Sequence, residues 1–398
     1  MNSCSNDSTP LLDFIEVDHS KDIVGTWTCL EENYASALVL NSDGTAMSMG
    51  VGSGEYWNDV DGSFSVKNNN LLISFENGHK VDVRIDLIPN EGLSIVTEDG
   101  KRHTYQYCEN DLSDEIVGMW VCNEGLTGGV SVMSYADNGK FTITSASALS
   151  SDEPLVKQES DYIVVGDLVF VKLFTDNEEG KTIFTPARMI YSPNGTSVGD
   201  IMTHKKYIPS DNGLKETVMS FLRIKQSLDL AKKEYDYSNV YVTNVKADDV
   251  EFDFAGQKLN FAALDGSMMD KMMRNILFNV SFPTADKFVY TCYVNDNKTS
   301  IEAPIVVDGN KITIKMSENK AVYRDIDVYT FQDVDACQMH MYMPRSSFVK
   351  FIANIGVVSM SKNGELDLND TEAVKAVYDD IDKAIETINV SFIFKSDK

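Results

Sequence analysis

Two clusters of methionine are the residues whose type and spacing come nearest to a chemical function in this 398-residue chain. Met339, Met341 and Met343 alternate with Gln338, His340 and Tyr342. In a strand the three thioethers therefore share one face, and His340 takes the other. Met268, Met269, Met272 and Met273, with Ile276 and Leu277, keep the i, i+3, i+4 spacing of a helix face. Thioethers beside His340 or Cys337 make a soft donor set suited to Cu(I), but a histidine on the opposite face of the strand does not join it. Two other readings fit the same residues: gap-filling core side chains, or the adaptable wall of an apolar pocket. On the second, Met268, Met272, Met273, Met339, Met341 and Met343 are the candidate ligand-binding residues.

The remaining reactive side chains are scattered. His19, His79, His103, His204 and His340 include no pair at metal-ligand spacing. Cys4, Cys29, Cys108, Cys122, Cys292 and Cys337 contain no C-x-x-C, so neither a zinc nor a thioredoxin-type motif is indicated. There is no Gly-x-Ser-x-Gly elbow, P-loop, His-Glu-x-x-His or dinucleotide fingerprint. Asn58-Asp-Val-Asp-Gly-Ser63 begins like a calcium loop but lacks the glutamate at its twelfth position, and reads as a surface turn. The expectation is a protein without catalytic residues, metal or cofactor.

Composition narrows the partners. The formal net charge is −26, from 61 acidic and 35 basic residues. Such a chain repels phosphate backbones and anionic headgroups, which argues against nucleic acid and polybasic membrane docking. No run of about 18 apolar residues offers a membrane-spanning helix. Residues 1–20 lack the apolar core of a signal peptide. Met1-Asn-Ser-Cys-Ser-Asn-Asp-Ser-Thr-Pro10 nevertheless resembles the start of a bacterial lipoprotein just after its lipobox. Cys4 follows a small residue and precedes a polar tether, so Cys4 is the expected lipidation site. The alternative is a polar terminus with a chance cysteine.

The elements that must position these residues are announced by a repeat. Asp22-Ile-Val-Gly-Thr-Trp-Thr-Cys29 returns as Glu115-Ile-Val-Gly-Met-Trp-Val-Cys122, a register offset of 93 residues between Gly25 and Gly118. Each copy opens a run of short alternating segments separated by Asx-Gly turns, the pattern of a hairpin meander. About eight strands in some 90 residues suit an up-and-down barrel. Asp137-Asn-Gly-Lys140 stands where Ser42-Asp-Gly-Thr45 stood, and His204-Lys-Lys-Tyr207 parallels His103-Thr-Tyr-Gln-Tyr107. The match of His103 and His204 reads as structural inheritance. Cys29 and Cys122, two residues after each tryptophan, share its face and are expected to be buried. A Cys29–Cys108 bridge is open to the first unit. Ile208 stands at the aligned place in the second, which favours free thiols.

The division expected is a tether over 1–20, barrels over 21–111 and 112–212, and a β-rich module with helices over 213–398. Within the last, Leu214, Val218, Phe221, Leu222 and Leu228 predict a helix over 214–234. Ser347–Ile355 predicts another, with Gly356 as its C-cap. Asn369 with Glu372 reads as a capping box opening a helix striped by Val374, Val377, Ile381, Ala384 and Ile388. Asn389–Lys395 reads as a final strand. Surface loops are expected at 50–61, carrying Tyr56 and Trp57, and at 150–158.

Ile-Val-Gly-x-Trp opening an eight-strand meander resembles the lipocalin-like units of the calycin group. Two such units, a lipoprotein-like start and a mixed third module are similar to calycin-like lipoproteins of Bacteroidetes. The resemblance covers roughly residues 21–212, and the third module more loosely. It implies a mainly β fold of two tandem lipocalin-like antiparallel barrels followed by a calycin-like barrel with several helices. It also implies export and lipid anchoring at an outer membrane, on its periplasmic or surface side. Trp27 and Trp120 match the family's structural tryptophan, which closes the barrel floor. A basic residue of the last strand packs on that tryptophan in the family, with Arg102 and Lys206 the candidates here. The function expected is non-enzymatic binding of a small apolar ligand or lipid, most readily in the third module. The alternative is an interaction protein with filled barrels that binds a glycan or a protein partner through its loops.

Overall fold

The Asx-Gly turns close hairpins through the same hydrogen bonds in both repeats. The backbone N–H of Asn41 donates to the Thr45 carbonyl at 2.9 Å, and that of Gly44 to Asn41 at 3.0 Å. Asp43 Oδ1 accepts from the Thr45 N–H at 3.0 Å. In the second copy Ala136 donates to Lys140 at 2.9 Å and Gly139 to Ala136 at 3.1 Å. Asn138 Oδ1 takes the Lys140 N–H at 3.2 Å.

The computed structural model describes residues 21–396 except 53–54, 89–91, 98–99, 123–130, 146–155, 174–182, 194–199, 211–212, 255–256, 295–296 and 317–321. Cys4 and most of the 150–158 loop lie outside the described residues.

The first barrel is a meander of β1 (Gly25–Glu31), β2 (Tyr34–Leu40), β3 (Thr45–Gly52), β4 (Glu55–Lys67), β5 (Asn70–Phe75), β6 (Lys80–Ile88), β7 (Gly92–Val96) and β8 (Arg102–Cys108). Each strand pairs antiparallel with the next, and β8 returns to β1 with Trp27 opposite Tyr107. Closure leaves no strand edge to aggregate. The expected loop over 50–61 and the turn over 58–63 are instead largely strand. The chain runs through them in β3 and β4, with a bulge where Gly62 pairs with Ala46 and Asp59 with Ser48. An irregular polar stretch can stay in a ladder because a bulge absorbs the extra residue.

The second barrel contains β9 (Gly118–Cys122), β10 (Ser131–Tyr135), β11 (Lys140–Ser145), β12 (Val156–Val165), β13 (Leu168–Leu173), β14 (Ile183–Ser192), β15 (Ile201–Ser210) and β16 (Gly213–Ile224). The helix expected over 214–234 does not form. Residues 213–224 are the eighth wall strand, and β16 returns to β9 with Arg223 opposite Trp120. Phe221 and its neighbours Leu222 and Ile224 are all buried. A strand covered on both faces at one end places apolar residues at mixed spacings, and these mimic a helical stripe.

The third barrel runs β17 (Lys233–Ala247), β20 (Leu277–Thr284), β21 (Lys287–Val294), β22 (Asn297–Asp308), β23 (Lys311–Ile314), β24 (Ile326–Gln332), β25 (Gln338–Met343) and β26 (Ile385–Lys395). A hairpin of β18 (Glu251–Phe254) and β19 (Gln257–Asn260), then α1 (Gly266–Ile276), separate its first two strands. Between its last two stand α2 (Arg345–Lys362) and α3 (Thr371–Ala384). The shorter helix expected to end at Gly356 runs on through it. Gly356 is buried inside α2, and a Cβ there would lie 2.2 Å from the Phe252 ring. That glycine serves close packing and not a cap. The N-cap of α3 is Asp370, whose side chain accepts from the Ala373 N–H at 3.0 Å, and not Asn369.

The chain is thus mainly β: three closed, eight-stranded antiparallel barrels, with the helices of the described residues confined to the third. It divides into two compact units. One comprises Met1–Leu112, Val164–Arg188 and Lys206–Glu216; the other comprises Ser113–Ile163, Met189–Lys205 and Thr217–Lys398. The first unit holds all of the first barrel, with Trp27, Leu38, Leu71, Ile73, Ile85 and Leu93 in its core. The second unit holds all of the third barrel and its larger core.

Candidate functional site

The repeated tryptophans occupy equivalent places. Trp27 Nε1 donates to the Ile23 carbonyl at 2.8 Å, and Trp120 Nε1 to Ile116 at 2.7 Å. All four residues are buried. The residue that meets each tryptophan differs from expectation. Arg223 lies over the Trp120 ring at 4.7 Å and pairs with Asp200 at 3.4 Å. Trp27 is met edge-on by Tyr107, with ring centroids 5.3 Å apart. Arg102 instead bonds Ser94 and Asp86, at 2.8 and 3.3 Å. Lys206 lies in β15, the seventh strand of its barrel, and not in the strand beside Trp120. For the same reason His103 and His204 are not equivalent: one stands in an eighth strand, the other in a seventh.

The methionines of both clusters belong to the core of the third barrel. Met269 and Met273 of α1, with Met339, Met341 and Met343 of β25, are buried in one apolar core, and Met268 packs partly buried against it. The Met272 side chain lies outside the described residues. His340 faces away from the thioethers. It is fully buried, and its Nε2 lies 2.6 Å from the Gln338 amide nitrogen. An amide N–H donates, so imidazole Nε2 accepts and the ring proton sits on Nδ1. Burial first, then Lys395, pull the His340 pKa down to about 3.

A third group is polar and lies inside the first barrel. β1 and β8 pair from Thr26 opposite Cys108 to Thr28 opposite Gln106, and counting on by residue from that register sets Cys29 level with Tyr105 and Glu31 level with His103. His103 Nδ1 meets Glu31 Oε2 at 2.8 Å, and the Thr104 N–H donates to Oε1 at 3.3 Å. The Cys29 thiol donates to the same Oε1 at 3.5 Å. The ligand atoms of Cys29, Glu31 and His103 all lie within 4.8 Å of one another. The Tyr34 ring stacks on the His103 imidazole, with centroids 3.7 Å apart and planes 15° from parallel. The Tyr34 and Tyr105 hydroxyls share a 2.7 Å hydrogen bond.

Trp57, expected on a loop, packs beside this group, 5.9 Å from Tyr34, and donates to Ser48 Oγ at 3.0 Å. Gly50 makes its room, since a Cβ there would lie 2.2 Å from the indole. Tyr56 stacks on Phe184 at 4.0 Å, so neither aromatic forms an open platform for a sugar. Cys29 is fully buried while the Glu31 side chain is 39% exposed, so the group runs from core to solvent. Burial first, then the Glu31 charge, push the Cys29 thiol well up, which leaves it protonated at neutral pH. Cys29 and Cys108 are both free thiols.

In the linear sequence Cys29 looks like a core residue and His103 like a repeat of His204, so nothing there groups them. The signal was Cys-x-Glu in a first strand and a histidine in the last. It becomes legible once the strands close into a ring.

Fold and interior together define a chain of closed, eight-stranded antiparallel barrels. No family model matches it, and neither does any curated protein. Among solved structures it is similar to isotype 1 transferrin binding protein B from serogroup B Neisseria meningitidis. The identity is 10% and the TM-score 0.21, over 91% of this chain and 65% of that one. The chain thus spans less than two thirds of that structure, and a likeness this slight carries no function across.

Proposed function

We propose that this chain is a non-enzymatic binding protein of the cell envelope, tethered by a lipid on Cys4, whose third barrel receives an apolar small molecule or lipid. One observation supports the reading: the buried core of the third barrel includes five methionines, Met269 and Met273 of α1 and Met339, Met341 and Met343 of β25. Unbranched, polarisable side chains re-pack around an apolar guest at little cost, where branched ones would strain. A ligand enters by displacing Met269 and Met273 as α1 moves off β17, β20 and β21. Trp27 and Trp120 close the ends of their barrels and take no part in binding. We place the start of the third domain after Ile224, because β16 belongs to the wall of the second barrel.

Native mass spectrometry of the purified full chain tests this, with uptake of a fluorescent fatty acid beside it. Adducts of lipid mass and saturable uptake are expected. Met273→Lys, which sets an ammonium among the thioethers, is expected to abolish both, while Met273→Leu keeps them. Equal uptake by both variants would overturn the assignment. No adduct and no uptake in the wild type would leave a partner on the outer surface as the better reading.

A further inference from the structure

We infer that Cys29, Glu31 and His103 form a site for a divalent transition-metal ion of the zinc type. Thiolate, carboxylate and imidazole together make a borderline-soft donor set, the kind zinc takes. The backbone already brings them together. Cys29 and Glu31 are i and i+2 on β1 and so share its inner face, and His103 comes from the hydrogen-bonded neighbour β8.

The distances come close to those of a bound ion. A tetrahedral ion with bonds of about 2.0–2.3 Å spaces its ligand atoms roughly 3.3–3.8 Å apart. One ligand atom from each residue lies within 4.8 Å of the other two; His103 Nδ1 stands 2.8 Å from Glu31 Oε2 and the Cys29 sulfur 3.5 Å from Oε1, so side-chain rotations that part the imidazole and the carboxylate by about 0.5 Å admit the ion. The outer contacts suit ligands held in place: Tyr34 fixes the imidazole plane by stacking, and the Thr104 N–H holds one carboxylate oxygen. Three protein ligands leave one tetrahedral position for water or a small anion. On binding, the Cys29 thiol gives its proton to solvent and the ion takes its place.

The second barrel provides an internal control. Cys122 repeats Cys29, but Phe221 pairs with it where Tyr105 stands level with Cys29. Two residues before Phe221 the strand carries Met219, where the first barrel has His103.

The test is titration of the metal-free full chain with Co²⁺ and then Zn²⁺. One equivalent of Co²⁺ is expected to give a thiolate-to-metal charge-transfer band in the near ultraviolet. Cys29→Ser is expected to abolish the band, and Cys122→Ser to leave it. Glu31→Gln and His103→Gln are expected to weaken Zn²⁺ binding roughly tenfold or more. The proposal is overturned if no band appears, if it survives Cys29→Ser, or if Cys122→Ser removes it. Should Cys29→Ser lose its circular dichroism, Glu31→Gln decides, since that side chain sits at the solvent end. Unchanged Zn²⁺ affinity there overturns the site.

Discussion

Gly25 and Gly118, the glycines of the repeated motif, hold φ of +139° and +137°. Side chains rarely adopt that conformation, so both positions demand glycine for the backbone alone. Their surroundings differ. A Cβ at Gly25 would lie 2.4 Å from the Tyr107 ring, whereas at Gly118 nothing stands within 4 Å. Gly118→Ala therefore isolates the backbone strain, and a loss of about 1–3 kcal/mol is expected. Gly25→Ala adds a steric clash and should cost more, read as a larger drop in the urea midpoint. His340 carries a pH dependence of its own. Its folded pKa, about 3, lies below the unfolded value near 6.5, so the unfolded chain binds a proton that the folded chain refuses. The stability this neutral imidazole contributes is complete above the unfolded pKa. It drains away as pH falls toward 3, at up to about 1.4 kcal/mol per pH unit. His340→Gln should flatten the urea midpoint between about pH 6.5 and about pH 4, where the wild type declines.

At the scale of elements, β16 changes most between expectation and structure. It was legible as amphipathic, but not as a strand. Leu222 and Ile224 are buried in a cluster with Val121, Val132, Phe331 and Tyr342, while Phe221 is buried beside His204. A segment apolar on both sides carries no clean period, and only the open edge of β9 decides its form. Arg223 meets Trp120 only because this segment is a strand beside β9. Arg223→Met keeps the aliphatic length but removes the stacked cation and the Asp200 pair. A loss of about 1–3 kcal/mol is expected, since the pair is partly buried. An unchanged urea midpoint would show that the contact is not stabilising. The helices were legible where one face alone is apolar. In α3, Val374, Ile381 and Ala384 of the expected stripe are buried and Val377 half-buried, but Ile388 lies in β26, because the helix ends at Ala384. In α2 the buried residues surround the axis, from Ser347 to Val357, so no one-sided stripe marks its length.

For the whole molecule, the charge of −26 and the doubled Ile-Val-Gly-x-Trp were properties of the linear chain, and both bear directly on partners and architecture. Alternation, Asx-Gly turns and the glycines at positive φ act over a few residues, so they specify strands and hairpins without reference to distant parts. The meander of the first barrel, the strand face of Met339, Met341 and Met343, and the α1 stripe were all readable for that reason. Ring closure is different. It joins residues far apart in sequence: Trp27 to Tyr107, Trp120 to Arg223, and Cys29 and Glu31 to His103. No local period encodes which strand completes a ring, because the choice depends on the edge left open by all the others. The local chemistry of the chain thus wrote its strands, while tertiary closure alone set a thiol, a carboxylate and an imidazole within reach of one ion.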